Sequence, residues 1–394
     1  MKTIKSGVYG LQFGLLCLSS FLFFASFNMI IPELPNYLTS LGGEEYKGLI
    51  IALFTLTAGL SRPFSGKLAD KVGRIPVMIF GALVCFVCGF FYPLTTTVAG
   101  FLFLRLIHGF STGFKPTGTS AYVADIIPMQ RRGEAMGLLG LSGSLGMAAG
   151  PALGATIAVH YNLDVMFYAS SVAALLSLLV LVGMKETVAN KHKFRAGLLK
   201  ISWAEIFEPR VIAPSIVMLL TVFAFGTVLT IIPDFSEYLG VKNKGLFFSC
   251  FTIASLAIRF LAGRASDKYG RIRVLKVSTI TLTAAMVLVG LADSVSALII
   301  AAVLFGVATG MNSPTVFAWT IDLSDDNHRG RAMATMYIAL EIGIGLGALA
   351  SGWIYNNDPE RFRLVFWVPA VLSFCAFLYL MFKVKDKKLK HAVA

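Results

Sequence analysis

The chain has 394 residues, of which 56% are hydrophobic and only 14% charged, and its mean hydropathy is +0.76. Ordinary globular domains carry about 25% charged residues, so this composition excludes a soluble domain and indicates a membrane protein. The net charge of +13 raises nucleic acid as a partner, but the charges gather at the ends of apolar runs rather than on one basic face, which excludes it.

A helix rising 1.5 Å per residue needs about 20 apolar residues to cross roughly 30 Å of hydrocarbon. Twelve runs are read as such helices, at 11–31, 47–65, 76–96, 98–124, 134–158, 164–183, 211–232, 245–262, 274–292, 297–321, 332–355 and 364–382. The first follows Lys2 and Lys5, but it is too long for a signal-peptide core and runs into "IIPELPNYL" instead of a small-residue cleavage site, so it reads as a retained helix. In the third, Cys85 and Cys88 have CxxC spacing, yet no His or acid accompanies them, and they read as buried small hydrophobes rather than a metal or redox pair. With the N-terminus inside, 27 of the 34 lysines and arginines fall at cytoplasmic ends. Lys47, Lys242, Lys244, Arg361 and Arg363 face outward, and Arg105 and Lys115 lie within the fourth run. The positive-inside rule then places both termini in the cytoplasm, with the Lys-rich tail favouring anionic lipid.

The chain repeats itself. "GKLADKVGRI" from Gly66 recurs as "GRASDKYGRI" from Gly263, 197 positions on, and the same offset relates Lys47-Gly48-Leu49 to Lys244-Gly245-Leu246, Arg62 to Arg259, Gly109 and Gly113 to Gly306 and Gly310, Asp125 to Asp322, and Gly146 to Gly343. "IIPELPNYL" recurs as "IIPDFSEYL" at an offset of 201. Two six-helix halves are therefore expected, 1–184 and 210–394, joined by a cytoplasmic linker at 185–209 and pointing the same way in the membrane. The second half carries the basic tail. The Gly-x-x-x-Gly pairs, Gly109/Gly113, Gly146/Gly150, Gly306/Gly310 and Gly343/Gly347, read as close helix packing.

The Gly-x-x-x-Asp-x-x-Gly-Arg pattern of both decapeptides resembles the signature loop of the major facilitator superfamily. "LRLIHGFSTG" (Leu104 to Gly113) resembles that family's fourth-helix motif with its buried Arg. "GLLGLSGSLGMAAGPALGA" (Gly137 to Ala155) is similar to the fifth-helix motif of its proton-coupled antiporters of the drug or sugar efflux type, with Gly137, Gly146, Gly150, Pro151 and Gly154 in place and Ala155 where a second Gly is usual. The resemblance covers essentially the whole chain. It implies an all-α membrane protein of twelve transmembrane helices in two pseudo-symmetric six-helix bundles. Gly66 and Gly73 permit a sharp turn, and so do Gly263 and Gly270. The resemblance also supplies partners for the acids: Asp70 near the start of helix 11 in the opposite half, and Arg74 reaching Asp125. This gives a conformational latch with a second copy at Asp267, Arg271 and Asp322.

Ionisable groups near mid-bilayer cost about 2.5 to 3.5 kcal/mol each on insertion scales, so they are expected to face a cavity or a partner. Arg105, His108, Thr112, Lys115 and Thr119 follow helical spacings that confine them to one face of roughly 80°. Their repeat equivalents in helix 10 are Ala302, Phe305, Thr309, Asn312 and Val316, so the basic stripe belongs to one half alone. Glu341 stands one turn past Tyr337 in helix 11, where its equivalent is Ser144. A carboxyl held in an apolar helix can take up and release a proton, which makes Glu341 the first candidate proton carrier; the alternative is a structural pair with a helix 4 base. Arg105 and His108 join it as coupling candidates, although a lone His is more often a hydrogen-bonded structural group. Phe27, Asn28, Arg105, His108, Thr112, Lys115, Asn312 and Tyr337 are the candidate substrate contacts. Lys115 suits an anionic group on the substrate or a partner for Glu341.

"GFSTG" (Gly109 to Gly113) mimics a hydrolase elbow, but that turn needs a preceding strand and here a membrane helix continues through it. No phosphate loop is present in the sequence, so the chain is not expected to be an enzyme or to hold a cofactor or metal. The expected function is proton-coupled export of a small amphipathic compound, with an anionic group as one option, by alternating access about a site lined by helices 1, 4, 7 and 10, driven by the proton gradient. A symporter or facilitator importing a sugar or organic anion is the alternative, and a lipid-handling transporter or transporter-like sensor is a third. The expected partners are the small-molecule substrate and the lipid bilayer, and the expected state is a monomer in a bacterial cytoplasmic membrane.

Overall fold

The computed structural model describes residues 10–127, 132–188, 191–200, 207–324 and 329–384; the basic tail after residue 384, Lys2, Lys5 and part of the linker lie outside them. Among the described residues every regular element is helical. The long helices are α1 (Leu11–Ile30), α2 (Lys47–Lys71), α3 (Arg74–Phe91), α4 (Val98–Ile126), α5 (Arg132–His160), α6 (Leu163–Val182), α7 (Ile212–Tyr238), α8 (Leu246–Tyr269), α9 (Arg271–Leu291), α10 (Val295–Leu323), α11 (Arg329–Tyr355) and α12 (Phe362–Phe382). Among the described residues ten of them are long and apolar enough to cross a membrane, and α8 joins them as a span bent by 45° between Arg259 and Leu261. The remaining helix, α4, is 29 residues long, and its basic stripe is what lowers its hydropathy. Large side chains on the surface, such as Trp353, Leu346, Val172 and Phe103, are apolar, as lipid contact requires.

Helices outrun the apolar stretches that announce them. The decapeptide from Gly66 is no open loop: α2 continues to Lys71, α3 starts at Arg74, and the chain reverses at Gly73, whose φ of 138° only glycine adopts without strain. Gly270, with φ 94°, repeats this between α8 and α9. The expectation that Gly66 and Gly263 also open the turn is corrected, since both lie inside helices. Charged residues end the hydrocarbon crossing without ending the helix.

Two compact units are formed, one from Met1–Ile206 with Ile232–Ser249, the other from Phe207–Ile231 with Cys250–Ala394. In unit 1, α1 packs on α5 and α6, and α4 on α2 and α3. Paired serines join α1 to α6: Ser19 and Ser177 exchange hydroxyl-to-carbonyl hydrogen bonds of 3.0 and 2.8 Å, and Ser26 and Ser170 exchange bonds of 2.7 and 2.9 Å. Such bonds hold apolar helices together where the surrounding lipid offers no hydrophobic drive. In unit 2, α9 packs on α10 and α12, repeating the pairing of α3 with α4 and α6.

The glycine pairs act as contact points, and two of them repeat residue for residue. A Cβ on Gly109 or Gly113 would stand 2.1 Å from the Phe54 carbonyl oxygen or 2.8 Å from that of Ala58; on Gly306 or Gly310 it would meet the carbonyls of Phe251 (2.2 Å) or Ser255 (2.5 Å). Phe251 and Ser255 are the equivalents of Phe54 and Ala58 at the offset of 197. The sequence repeat is thus also a repeat of packing register.

Candidate functional site

The stripe on α4 turns into unit 1. Arg105 is 1% exposed; its Nε donates to the Ile50 carbonyl at 2.9 Å, its Nη1 to the Tyr92 hydroxyl at 3.3 Å and to His108 Nδ1 at 3.4 Å, and its guanidinium lies 4.6 Å above the Phe54 ring. An arginine only donates, so His108 Nδ1 must accept, which leaves the imidazole proton on Nε2, 3.4 Å from Cys85 Sγ. The Tyr92 hydroxyl, 3.2 Å from Nδ1, closes the network. His108 is thus hydrogen-bonded at both ring nitrogens. Cys85 and Cys88 are buried, and Cys85 also meets the Ser26 hydroxyl at 3.4 Å.

Lys115, also 1% exposed, lies ten residues along α4 from Arg105, about 15 Å of helix rise. Its Nζ donates to the Ser19 carbonyl at 3.2 Å and sits 4.8 Å from the Phe23 ring centroid, and among the described residues neither it nor Arg105 has a carboxylate partner. Burial of two cations against carbonyls and aromatic faces is costly in the absence of a counter-charge. The expected water-accessible face is therefore not what unit 1 presents: Arg105, His108 and Lys115 are sealed by α1, α2 and α3, because the glycines of α4 bring its polar face hard against its neighbours. Thr112 and Thr119 bond back to their own helix, at the Gly109 and Lys115 carbonyls. Phe27 stacks on Phe54 at 5.9 Å, which links α1 to the Arg105 cluster, and Asn28 donates to the Phe24 carbonyl one turn back. Tyr92, Phe54, Phe23 and Cys85 complete this cluster, and only the fold brings them to α4.

In unit 2, Asn312 is 5% exposed on α10, and its Nδ2 finds no acceptor among the described residues. Tyr337 of α11 tilts against Phe317 at 5.3 Å, and Glu341, one turn further on, is buried.

The two signature segments build the same triad. Arg74 Nη1 bonds Asp70 and its Nε donates to Asp125 Oδ2 at 3.0 Å; Arg271 Nη1 bonds Asp267 at 2.5 Å and its Nε donates to Asp322 Oδ2 at 2.9 Å. The same nitrogens meet the same acids in each unit. Asp70 and Asp267 are largely exposed, so each pair is worth only about 0.2 to 1 kcal/mol, weak enough to break in a working cycle. The first triad has a support that sequence reading missed. Glu186, at the start of the linker, accepts the backbone N–H groups of Arg74 and Ile75, one on each carboxylate oxygen at 3.1 Å, and Thr187 donates to Asp125 at 2.6 Å. The linker also donates from His192 N to the Lys71 carbonyl at 2.8 Å. The only sequence signal for Glu186 is an acid in a mainly basic segment.

On α5, a Cβ on Gly146, Gly150 or Gly154 would meet the carbonyl oxygens of Phe21, Ala25 or Met29 at 2.4, 2.5 and 1.9 Å, so these glycines let α5 lie directly on the α1 backbone. Pro151 lies within α5, and a Cβ on Gly245 would stand 2.4 Å from its carbonyl oxygen.

The sequence matches the profile described as Major Facilitator Superfamily over residues 16–248 and again over 215–393. It is 24% identical over 353 residues to Multidrug resistance protein 1 of Bacillus subtilis (strain 168), a match covering 86% of this chain and 88% of that one. The fold is similar to that of the human organic anion transporter MFSD10 (TM-score 0.73, 20% identity, 93% and 98% of the two chains) and of the inward-open xylose transporter XylE from E. coli (TM-score 0.77, 16% identity, 96% and 97%). Two profile matches that together span nearly all of the chain, over a fold of twelve long helices with duplicated Arg–Asp–Asp triads, place this integral membrane protein in the major facilitator superfamily of transporters.

Proposed function

We propose that this transporter is a proton-coupled antiporter that exports a small amphipathic compound, anionic compounds included, by alternating access. The observation that carries the reading is the duplicated triad: Arg74 with Asp70 and Asp125, and Arg271 with Asp267 and Asp322, are weak, matched, breakable contacts of the kind a two-state carrier needs. The direction of transport rests on α5, whose Gly146, Gly150, Pro151 and Gly154 follow the antiporter pattern, and export agrees with a Bacillus relative named for multidrug resistance. Proton coupling rests on Glu341 as carrier, with Arg105 holding the α4 network that coupling would act through. Asn312, with a buried donor that has no acceptor among the described residues, supports a substrate contact on α10, and Lys115 supports an anionic group. The proton gradient supplies the energy and no cofactor is needed. The protein works as a monomer in a bacterial cytoplasmic membrane with both termini inside.

Inside-out vesicles with an imposed proton gradient and a panel of amphipathic dyes and organic anions test this. Uptake should follow the gradient and fall at least tenfold in Glu341→Gln. Transport that ignores the gradient, or that Glu341→Gln leaves unchanged, refutes coupling through this residue. Transport accelerated by the opposite gradient assigns the protein to symport instead.

A further inference from the structure

The triads leave two repeats unexplained: Lys47-Gly48-Leu49 with Lys244-Gly245-Leu246, and "IIPELPNYL" with "IIPDFSEYL". The charges of all four segments gather inside unit 1, at the end of α2 remote from Gly73. Lys47 opens α2, and the 23 residues from it to Asp70 span about 35 Å of helix. Lys47 is 9% exposed and donates from Nζ to Asp234 Oδ2 at 2.5 Å. Lys244 is 7% exposed and donates to Glu237 Oε2 at 2.7 Å, and Glu237 also bonds the Asn36 side chain. Glu33, the repeat equivalent of Asp234, is buried and interacts electrostatically with Lys244. Lys47 thus bonds an acid contributed by the other half of the sequence, Asp234, while Lys244 bonds Glu237 of its own half and interacts electrostatically with Glu33 of the other.

The backbone around these charges is in close contact. A Cβ on Gly245 would stand 2.4 Å from the Pro151 carbonyl oxygen, Asn243 Nδ2 lies 3.3 Å from Thr156 Oγ1, and Ser249 Oγ donates to the Ala148 carbonyl at 3.4 Å. Apolar residues would hold a permanently closed contact at least as well as buried ion pairs do. Ion pairs differ in the opened state: water rehydrates the separated charges, whereas separated apolar faces are penalised by their exposed area. A contact that must open repeatedly therefore favours the charges.

We propose that Lys47, Asp234, Lys244, Glu237 and Glu33 form a second latch, at the opposite end of α2 from the Asp70–Arg74–Asp125 triad, which closes that end when made and releases it when broken. This rests on the reading that the chain works by alternating access, but its test needs neither a substrate nor a gradient. In a cysteine-free full-length protein in liposomes, Thr156→Cys and Asn243→Cys place two thiols across the closed contact. The oxidative cross-link should form readily with Lys47 and Asp234 intact, fall at least threefold in Lys47→Ala and in Asp234→Lys, and recover in the charge-swapped Lys47→Asp/Asp234→Lys protein. Equal cross-linking in Lys47→Ala and the parent, or no recovery in the swapped protein, overturns the latch. A cross-link that responds as stated in a protein that shows no proton-driven transport refutes the exporter reading and leaves the latch standing.

Discussion

Replacing Glu186 by alanine tests whether the linker holds the first triad. The carboxylate accepts four backbone N–H groups, from Arg74 and Ile75 at 3.1 Å and from Thr187 and Val188 at 2.9 and 3.1 Å. The last two are neighbours in an open segment and turn to water when the acceptor is lost. The first two are the opening donors of α3, where a cap is worth about 0.5 to 2 kcal/mol, and a negative charge at a helix N-terminus adds about 0.3 to 1 kcal/mol. Glu186→Ala should therefore cost about 1 to 3 kcal/mol locally. Glu186→Gln, which keeps an acceptor and loses the charge, should cost about 0.3 to 1 kcal/mol, the charge contribution alone. Amide hydrogen exchange over residues 72–79 reads this directly, with faster exchange in the order Ala, Gln, wild type. The same exchange in Glu186→Ala and wild type, or a Gln variant as fast as the Ala variant, refutes the cap.

Two further outcomes follow from the packing and the buried network. Gly154→Ala pushes a Cβ to 1.9 Å from the Met29 carbonyl oxygen and should cost about 1 to 3 kcal/mol, while Gly137→Ala on the same helix, with nothing within 4 Å, should be neutral or stabilising by up to about 1 kcal/mol; the thermal midpoints of the two purified variants decide this. Arg105→Leu strips donors from the Ile50 carbonyl, Tyr92 and His108 and should lower the midpoint strongly, whereas Lys115→Met removes a buried charge held by one carbonyl and should leave the midpoint unchanged or raised. A Lys115→Met protein less stable than Arg105→Leu contradicts the difference in partners.

Much of the fold was legible because a hydrocarbon solvent leaves the sequence little choice: the positions of the apolar runs agree with the helices to within about three residues, except at the C-terminal ends of α2, α3, α7 and α8. The misread ends of α2 and α8 have a common cause. Gly66–Lys71 and Ser266–Tyr269 are too polar to lie in lipid, yet they remain helical in water, so hydropathy marks the membrane boundary and not the end of the helix. The stripe on α4 was legible as a face, because spacings of three and four residues define one. What that face meets was not, because the Ile50 carbonyl, Tyr92 and Ser19 are chosen by how α1, α2 and α3 pack, and a backbone carbonyl leaves no mark in a sequence. Lys47 and Lys244 read only as outward-facing charges, repeated at the offset of 197; that they bond Asp234 and Glu237 is again chosen by the packing.

Symmetry and its failure divide the work of the molecule. The features that repeat are mechanical: Gly109 and Gly306 on equivalent carbonyls, Arg74 and Arg271 on equivalent acids, and Lys47 and Lys244 each bonded to an acid of the 232–240 segment. They govern how closely helices approach and which contacts break. The features that do not repeat are chemical. Arg105, His108 and Lys115 correspond to Ala302, Phe305 and Asn312, and Glu341 corresponds to Ser144. A motion shared by two related halves needs matched parts, whereas recognising a cargo or carrying a proton needs charge at one place and not at its mirror. Arg105 ties the Ile50 carbonyl, Tyr92 and His108 together inside unit 1, a network with no counterpart at the equivalent positions of α10, and the proposed coupling through α4 would have to act on it.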